Sequence, residues 1–108
     1  MISFNSKLKV MYLIRETFKT KPGKAKELVK KFKAAVPHFE KSEEGKNYKI
    51  MTDIVSRYWT VVMEYEVADI GKFMNNVRSA TGSAELQEIM KGYLELVDGG
   101  RREIFMIE

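Results

Sequence analysis

Hydrophobic residues along the 108-residue chain recur with two different periods, and the order of these periods predicts the fold. Apolar residues at every second position are typical of a strand, whereas spacings of three and four residues are typical of an amphipathic helix. From the N-terminus the pattern predicts strand, helix, strand, strand, helix, strand. The predicted strands are Lys9 to Phe18, Tyr48 to Val55, Tyr58 to Val67 and the final run from Arg101.

A Pro-Gly turn and a lysine-rich helix follow the first strand. Pro22 fixes its own φ and Gly23 accepts the positive φ of a type II turn, so this pair predicts a sharp turn. The helix is predicted from Lys24 to about Phe39, with one apolar stripe and most lysines turned toward solvent. Pro37 cannot donate to the carbonyl four residues earlier, so we expect it to kink or close the helix.

The second half of the chain predicts a hairpin, a helical region in two pieces and a last strand. Only Ser56 and Arg57 separate two β-rich runs, which predicts a hairpin. Asp69 and Ser83 are helix N-cap residue types before two apolar helical segments. Residues 98–100, Asp-Gly-Gly, are expected to end the helical region before the last strand.

This order of elements predicts the fold class. It is the ferredoxin-like βαββαβ order, an α+β fold with a four-stranded antiparallel sheet and the helices on one face. A chain of this length has room for one hydrophobic core, so residues 1–108 are expected to form a single domain.

Three of the predicted strands are apolar on both faces, which predicts a partner for the sheet. These runs are VMYLI, WTVVM and IFMI. If the helices cover one face, the other face exposes an apolar patch of a size that monomers rarely tolerate. The sequence therefore predicts a two-fold homodimer with the sheets packed face to face, and so a dimeric α+β barrel.

The composition is that of an ordinary globular protein, with 44% hydrophobic and 31% charged residues. No apolar run approaches the roughly 20 residues needed to cross a bilayer, so no membrane association is expected. The chain has no cysteine, which excludes disulfides, thiol nucleophiles and thiolate metal sites. Its N-terminal residues lack the pattern of a secretory signal, and we expect a cytoplasmic protein.

Positive charge is concentrated in the first half of the chain. Residues 1–50 carry 13 Lys and Arg against 5 acids, whereas residues 51–108 carry 6 against 10. Twelve of those 13 cations are lysines, which suit a solvated helix surface better than the bidentate phosphate recognition that favours arginine. An RNA-recognition module has the same element order, but its glycine and aromatic motif is absent from YWTVVMEYEV. We therefore expect no nucleic-acid binding.

Three segments together resemble a known superfamily: RETFKTKPGKAKELVKKF, WTVVMEYE and LQEIMKGYLELVDGGRREIFMIE. They resemble the dimeric α+β barrel superfamily, in particular its NIPSNAP-like and antibiotic-biosynthesis-monooxygenase-like members, over Val10 to Ile107. The resemblance implies two ferredoxin-like units that form a closed barrel, each with a pocket between helices and sheet. It implies no single activity, because the superfamily includes cofactor-free oxygenases, haem-handling proteins, isomerase-like enzymes and many members of unknown function.

Neither haem nor a metal fits the residues that the chain offers. Haem-degrading members use a histidine on a helix together with asparagine and tryptophan, but His38, the only histidine, lies at the end of the first predicted helix. One histidine without cysteine gives no metal-ligand spacing. We therefore expect no cofactor and no metal site.

The resemblance leaves cofactor-independent oxygenation of a small aromatic or enolisable compound as the sharper enzymatic hypothesis. Such chemistry needs a base, a group that holds an anion and a dry pocket. His38 is the candidate base and Arg15 the candidate anion holder. The candidate walls for a small apolar or aromatic ligand are four residues: Tyr12, Trp59, Tyr65 and Tyr93.

Each of these residues also has a structural interpretation. His38 could be an exposed residue at a helix end, and Arg15 could pair with a glutamate at the barrel rim. Aromatic residues in strands usually pack in cores or interfaces. A non-catalytic dimeric module that binds a small ligand, or has only a structural role, is therefore the alternative to an enzyme.

Overall fold

One antiparallel sheet organises the chain in the computed structural model, which describes residues 10–41, 45–79 and 83–108. Within these ranges the elements follow in the predicted order, with strands paired as β2-β3-β1-β4. They are β1 (Tyr12–Thr20), α1 (Ala25–Lys41), β2 (Lys46–Thr52), β3 (Thr60–Val67), α2 (Ile70–Ser79), α3 (Ala84–Met90), a 3-10 turn (Tyr93–Glu95) and β4 (Val97–Met106). The α+β, ferredoxin-like fold class is confirmed.

One face of the sheet is buried under the helices. Every second residue of β3 is buried, in the predicted alternation: Val61, Met63, Tyr65 and Val67. The apolar stripe of α1 lies against them through Leu28, Phe32 and Ala35. Full burial of one large aliphatic or aromatic side chain stabilises a fold by about 1.5–3 kcal/mol. This layer between sheet and helices therefore forms the core.

The start of α1 follows the predicted turn. Gly23 has φ of +81°, a conformation that glycine adopts without the steric cost of a Cβ atom. The amide of Lys24 donates to the carbonyl of Lys21 across the turn, at 3.0 Å. The helix then continues beyond Pro37 to Lys41, so Pro37 does not close it.

The opposite face of the sheet, called the open face below, carries the remaining alternate residues of the strands. It includes Leu13, Arg15, Thr17 and Lys19 of β1, Thr60, Val62, Glu64 and Glu66 of β3, Lys49 and Met51 of β2, and Arg101, Glu103 and Phe105 of β4. Charged residues occupy its centre, because Arg15 lies directly opposite both Glu64 and Glu103. The expectation of an apolar second face is therefore correct only in part, because the face also carries charged residues outside this cluster, namely Lys19, Lys49, Glu66 and Arg101.

The last strand begins earlier than the sequence predicts. β4 starts at Val97, so Asp98, Gly99 and Gly100 belong to the strand and do not end a helix. A Cβ atom on Gly100 would lie 2.6 Å from the backbone oxygen of Thr17, so only glycine allows this close approach of β4 to β1. Gly100 therefore marks a close contact between two strands, which the sequence alone does not distinguish from a loop signal.

The connection between β2 and β3 is longer than the predicted two-residue hairpin and spans residues 53–59. The carboxylate of Asp53 accepts hydrogen bonds from the amides of Val55, Ser56 and Arg57 and from the Ser56 hydroxyl. These bonds close a compact loop and let the strands end earlier than their apolar residues predict. They also lower the pKa of the Asp53 carboxyl below its ordinary value.

Candidate functional site

A cavity of about 190 Å³, called the Glu16 cavity below, lies between the sheet and the helices. Its walls are mainly aromatic and come from both layers: Phe39, Tyr48, Tyr65 and Phe73, with Met63 and Val77. Neighbouring rings are in contact, with centroids 5.8 Å apart for Phe39 and Tyr48, 4.9 Å for Tyr48 and Tyr65, and 6.0 Å for Tyr65 and Phe73. The cavity therefore offers flat apolar surfaces to a ligand.

A carboxylate stands at the wall of this cavity. Glu16 lies on the helix-covered side of β1, and its side chain is only 13% exposed. The Tyr65 hydroxyl donates to Glu16 Oε2 at 2.5 Å, and Arg102 Nη2 donates to Glu16 Oε1 at 2.8 Å. A buried carboxylate is costly unless a cation and hydrogen-bond donors compensate it. Arg102 provides the cation and Tyr65 provides a further donor, so the cost of burying Glu16 beside apolar walls is compensated.

Strand register brings these three side chains together. Glu16 lies directly opposite Arg102 on β4 and Met63 on β3. Tyr65 is two residues beyond Met63 and therefore points to the same side of the sheet. The guanidinium of Arg102 also lies over the ring of Phe73, 5.6 Å from its centroid. Arg102 is thus held from two sides, by the carboxylate and by the aromatic ring.

The Tyr65 hydroxyl is a permanent donor in this site. Burial raises the pKa of Tyr65 far above its ordinary value, and the negative charge of Glu16 raises it further. Both effects disfavour the phenolate. Tyr65 is therefore protonated throughout the physiological pH range and supports the charge of Glu16.

The four aromatic residues proposed from the sequence as ligand walls lie in different places. Tyr65 lines the Glu16 cavity. Tyr12 and Tyr93 are half-buried and pack against the core. Trp59 ends the β2–β3 loop with φ of +64° and lines a separate apolar hollow beside Tyr58. Only Tyr65 therefore has a position from which it can contact a ligand beside Glu16.

His38 and Arg15 lie on opposite sides of the sheet. His38 is on α1, with Nε2 3.8 Å from Glu85 Oε2 on α3. Arg15 is on the open face, where Nε donates to Glu64 Oε2 at 2.7 Å and the guanidinium lies 5.2 Å from the ring centroid of Phe105. The structure does not bring the two residues into one site, and neither lines the Glu16 cavity. Their catalytic roles stay predictions.

The sequence reasoning missed Glu16 and Arg102. A signal for Glu16 was present, because Tyr12, Ile14 and Glu16 occupy alternate positions of one strand and thus one face. An acid on a face that is otherwise apolar is rarely buried without a partner. Arg102 had no such signal, since its pairing with Glu16 depends on the register between β1 and β4.

The described part of the chain, residues 10–41, 45–79 and 83–108, contains no group of three His, Cys, Asp or Glu side chains that could hold a metal ion. In the same ranges no helix has the length and apolarity required to cross a membrane.

Comparison with known proteins gives the fold. No protein-family model matches the chain, and no curated protein matches it. A NIPSNAP family protein with unknown function from Agrobacterium tumefaciens matches with a TM-score of 0.74 and 11% identity, over 90% of this chain and 87% of that chain. The chain shares the fold of NIPSNAP proteins. The resemblance predicted from the sequence is thereby confirmed at the level of fold.

Two further solved structures show how widely this fold is distributed. An uncharacterized NIPSNAP-like domain protein from Burkholderia xenovorans matches with a TM-score of 0.73 and 15% identity, over 91% of this chain and 85% of that chain. A conserved protein from Methanosarcina mazei Go1 matches with a TM-score of 0.70 and 20% identity, over 96% and 97%. At these identities the likeness gives the architecture, and function must be argued from the site.

Proposed function

We propose that this protein binds a small single-ring compound with a hydroxyl or enol group in the Glu16 cavity. The observation that carries the proposal is a largely buried carboxylate, held by Tyr65 and Arg102, at the wall of an aromatic cavity. The cavity volume is about 190 Å³, and an apolar protein cavity of roughly 150 Å³ is known to accept benzene. One aromatic or enolisable ring with a few substituents therefore fits the space.

The polar group of the ligand follows from the hydrogen bonds of Glu16. A carboxylate has about four lone-pair positions, and Tyr65 and Arg102 each use one oxygen of Glu16. Capacity to accept a further hydrogen bond therefore remains on the cavity side. A ligand hydroxyl can donate to it, whereas an ether or an anionic group cannot. The site thus selects a neutral donor.

Cofactor-independent oxygenation is the second candidate function, and the position of Glu16 favours it. A bound phenol or enol can transfer its proton to the Glu16 carboxylate, and the resulting ligand anion then supplies electrons to molecular oxygen, which is the oxidant. A carboxylate is a weak base, so oxygenation requires an acidic enol or phenol. Without such a substrate the protein is a binding module.

A homodimer through the open faces is part of the same proposal. Leu13, Met51, Val62 and Phe105 provide apolar contact area around the ionic cluster of Arg15. A sheet from a second copy would remove this mixed surface from water, as in other closed two-fold assemblies. Native mass spectrometry tests it directly, with an expected mass of about 25 kDa, twice the 12.5 kDa of one chain. A monomer at micromolar concentration would refute this part.

The ligand proposal can be tested with p-cresol and its methyl ether, 4-methylanisole, which have similar shapes but differ in the hydroxyl donor. We expect p-cresol to bind the wild type, and the ether to bind at least about tenfold more weakly, because it leaves a buried acceptor unpaired. Val77→Phe should fill the cavity and abolish binding. Tyr93→Phe, outside the cavity, serves as the control. Isothermal titration calorimetry on folded variants gives the affinities.

Two results would contradict the proposal. Equal affinity for p-cresol and its ether would mean that Glu16 does not select the donor. Unchanged binding in Val77→Phe, with native circular dichroism, would place the ligand elsewhere. Oxygen consumption with a panel of phenols and 1,3-diketones then separates the enzyme from the module. In an oxygenase, Glu16→Gln should remove turnover, while loss in His38→Ala or Arg15→Ala would instead support the roles predicted from the sequence.

A further inference from the structure

A second concave region, called the Trp59 hollow below, lies between the first turn of α1 and the β2–β3 loop. It has a volume of about 270 Å³ and is mainly apolar, with Ala25 and Lys26 on one side and Ile54 and Trp59 on the other. Because α1 covers one face of the sheet, the hollow opens on that side. Among the described residues that line it, only Thr60 belongs to the open face. A homodimer through the open face therefore leaves the α1 side of the hollow accessible.

Large apolar side chains are exposed around this hollow. Ile54 and Val55 are 81% and 77% exposed, and Tyr58 and Trp59 are exposed as well, although all four lie within six consecutive residues of one loop. Clustered exposed apolar residues are typical of an interaction site, and Trp and Tyr are enriched among the residues that dominate binding energy. The hollow therefore has the features of a pocket for an apolar side chain of another molecule.

The loop that forms one wall of the hollow is fixed at both of its ends. At its start, the carboxylate of Asp53 accepts the amides of Val55 at 2.9 Å and Arg57 at 3.2 Å. At its end, the carbonyl of Trp59 accepts the amide of Thr20 at 2.7 Å and the Thr20 hydroxyl at 3.0 Å. Trp59 keeps a positive φ, which costs a non-glycine residue free energy and persists where the surroundings hold it. The hollow is thus preorganised.

A row of lysines, called the lysine stripe below, extends from the hollow along α1. Lys26 lines the hollow, and Lys30 and Lys33 follow four and three residues further on, on the same side of the helix. All three are exposed, and within the described residues none of them forms an ion pair. The acid next to Lys26 in the sequence, Glu27, pairs with Lys24 at 3.3 Å. The stripe therefore offers three positive charges to an acidic partner.

From these features we propose that the Trp59 hollow and the lysine stripe together bind an acidic peptide segment of a partner protein. One apolar side chain of the segment enters the hollow, and its carboxylates face Lys26, Lys30 and Lys33. The spacing fits an extended segment, because four residues of helix rise about 6 Å and two residues of extended chain rise about 6.6 Å. Carboxylates at every second position from the apolar residue therefore meet successive lysines.

The size of the hollow favours a single side chain as its occupant. A protein cavity of roughly 150 Å³ accepts benzene, so the ring of a phenylalanine fits here, whereas the flat surface of a membrane does not fill a concave site. None of the described residues lines both the Trp59 hollow and the Glu16 cavity. The proposal therefore does not depend on the function proposed for Glu16.

Trp59 is the only tryptophan of the chain, so its fluorescence reports directly on the hollow. The test is a fluorescence titration of the full-length protein at low ionic strength with a nonapeptide that has phenylalanine at its centre, glutamate two and four residues to either side, and serine elsewhere. Binding should shift the emission of Trp59 in a saturable manner. Serine in place of the phenylalanine should weaken binding at least about tenfold, the scale of one lost aromatic burial. Glutamine in place of the glutamates should weaken binding and remove its salt dependence.

Variants of the protein separate the two parts of the surface. Ile54→Ala should weaken binding severalfold, whereas Leu94→Ala, which removes a similarly exposed apolar side chain elsewhere, should not. Lys30→Ala and Lys33→Ala should each weaken binding about two- to fivefold, the scale of one exposed ion pair. Lys72→Ala is their control, because it removes the same charge from an exposed position of α2. All these side chains are exposed, so circular dichroism should show native folds.

Several results of this titration would overturn the proposal. An equal loss of affinity in Lys72→Ala and Lys30→Ala would mean that net charge attracts the peptide without a site. Equal affinity for the serine peptide would overturn the role of the hollow, and equal affinity for the glutamine peptide would overturn the acidic class. Binding to vesicles of phosphatidylserine and phosphatidylcholine, without binding of the peptide, would assign the surface to a membrane. Absence of any saturable shift would overturn the site itself.

Discussion

Adjacent glycines of β4 should respond in opposite ways to the addition of one methyl group. A Cβ on Gly100 would lie 2.6 Å from the backbone oxygen of Thr17, 3.4 Å from Phe18 Cδ1 and 3.5 Å from Phe18 Cα. A Cβ on Gly99 would meet nothing within 4 Å. Neither residue has a positive φ, so backbone conformation does not distinguish them. The pair isolates the effect of one steric contact within one strand.

The difference in stability between the two variants depends on whether the atoms near the new methyl group can move away. The atom nearest to the new methyl of Gly100→Ala is backbone, so relief requires β4 to shift away from β1 and weakens their hydrogen bonds. Such overpacking costs about 1–3 kcal/mol. Gly99→Ala instead restricts the unfolded chain and should stabilise by about 0.4–1 kcal/mol. The two variants should therefore differ by about 1.4–4 kcal/mol in the free energy of unfolding.

Urea denaturation followed by far-UV circular dichroism measures this difference. With a slope of about 1–3 kcal/mol per molar urea, the midpoints of the two variants should be separated by about 0.5 M or more. The slope itself should be unchanged, because both variants expose the same surface on unfolding. Equal midpoints, or a lower midpoint for Gly99→Ala than for Gly100→Ala, would refute the close approach of the two strands as the reason for glycine.

The triad in the Glu16 cavity gives two further predictions. Glu16→Leu should destabilise the fold by about 2–3 kcal/mol relative to Glu16→Gln, because leucine leaves Arg102 and the Tyr65 hydroxyl without an acceptor. Thermal unfolding measures this difference, and equal stability of the two variants would contradict the prediction. Because the pKa of Tyr65 is raised in the folded state, its contribution to stability is complete below about pH 10 and is lost as pH rises above that value. The phenolate absorbance of Tyr65, taken as the difference between wild type and Tyr65→Phe, should appear only when the protein unfolds, and its appearance in the folded protein near pH 10 would contradict the burial argument.

Local signals in the sequence predicted the elements of the fold well. Alternation of apolar residues predicted the strand from Tyr58 to Val67, and the Pro-Gly pair predicted the turn before α1. These features depend on residues within a few positions of one another. The same kind of reasoning failed at residues 98–100, because Gly100 is required by its contact with a backbone atom of Thr17, more than 80 positions away along the chain.

The candidate site could be predicted only in part, for the same physical reason. Tyr65 was selected from the sequence as an aromatic strand residue, and the structure places it at the cavity. Its acceptor Glu16 and the cation Arg102 come from two other strands, and their meeting depends on sheet order and register. The periodicity of a single segment predicts neither the order of the strands in the sheet nor their register. The sequence predicted that Arg15 could pair with a glutamate, but it did not identify that glutamate as Glu64.

Two neighbouring residues of β1 connect register to chemistry. Arg15 lies opposite Glu103, and Glu16 lies opposite Arg102, so each charge of β1 faces its opposite on β4. A shift of β4 by one residue in one direction would place Arg15 opposite Arg102, and in the other direction Glu16 opposite Glu103. Like charges directly across a ladder are destabilising, and a one-residue shift also exchanges the two faces of a strand. The charge order therefore selects the one register that supplies Arg102 to the Glu16 cavity and Glu103 to the open face. Glu16 and Arg102 of the proposed ligand site therefore also help to fix the register between β1 and β4.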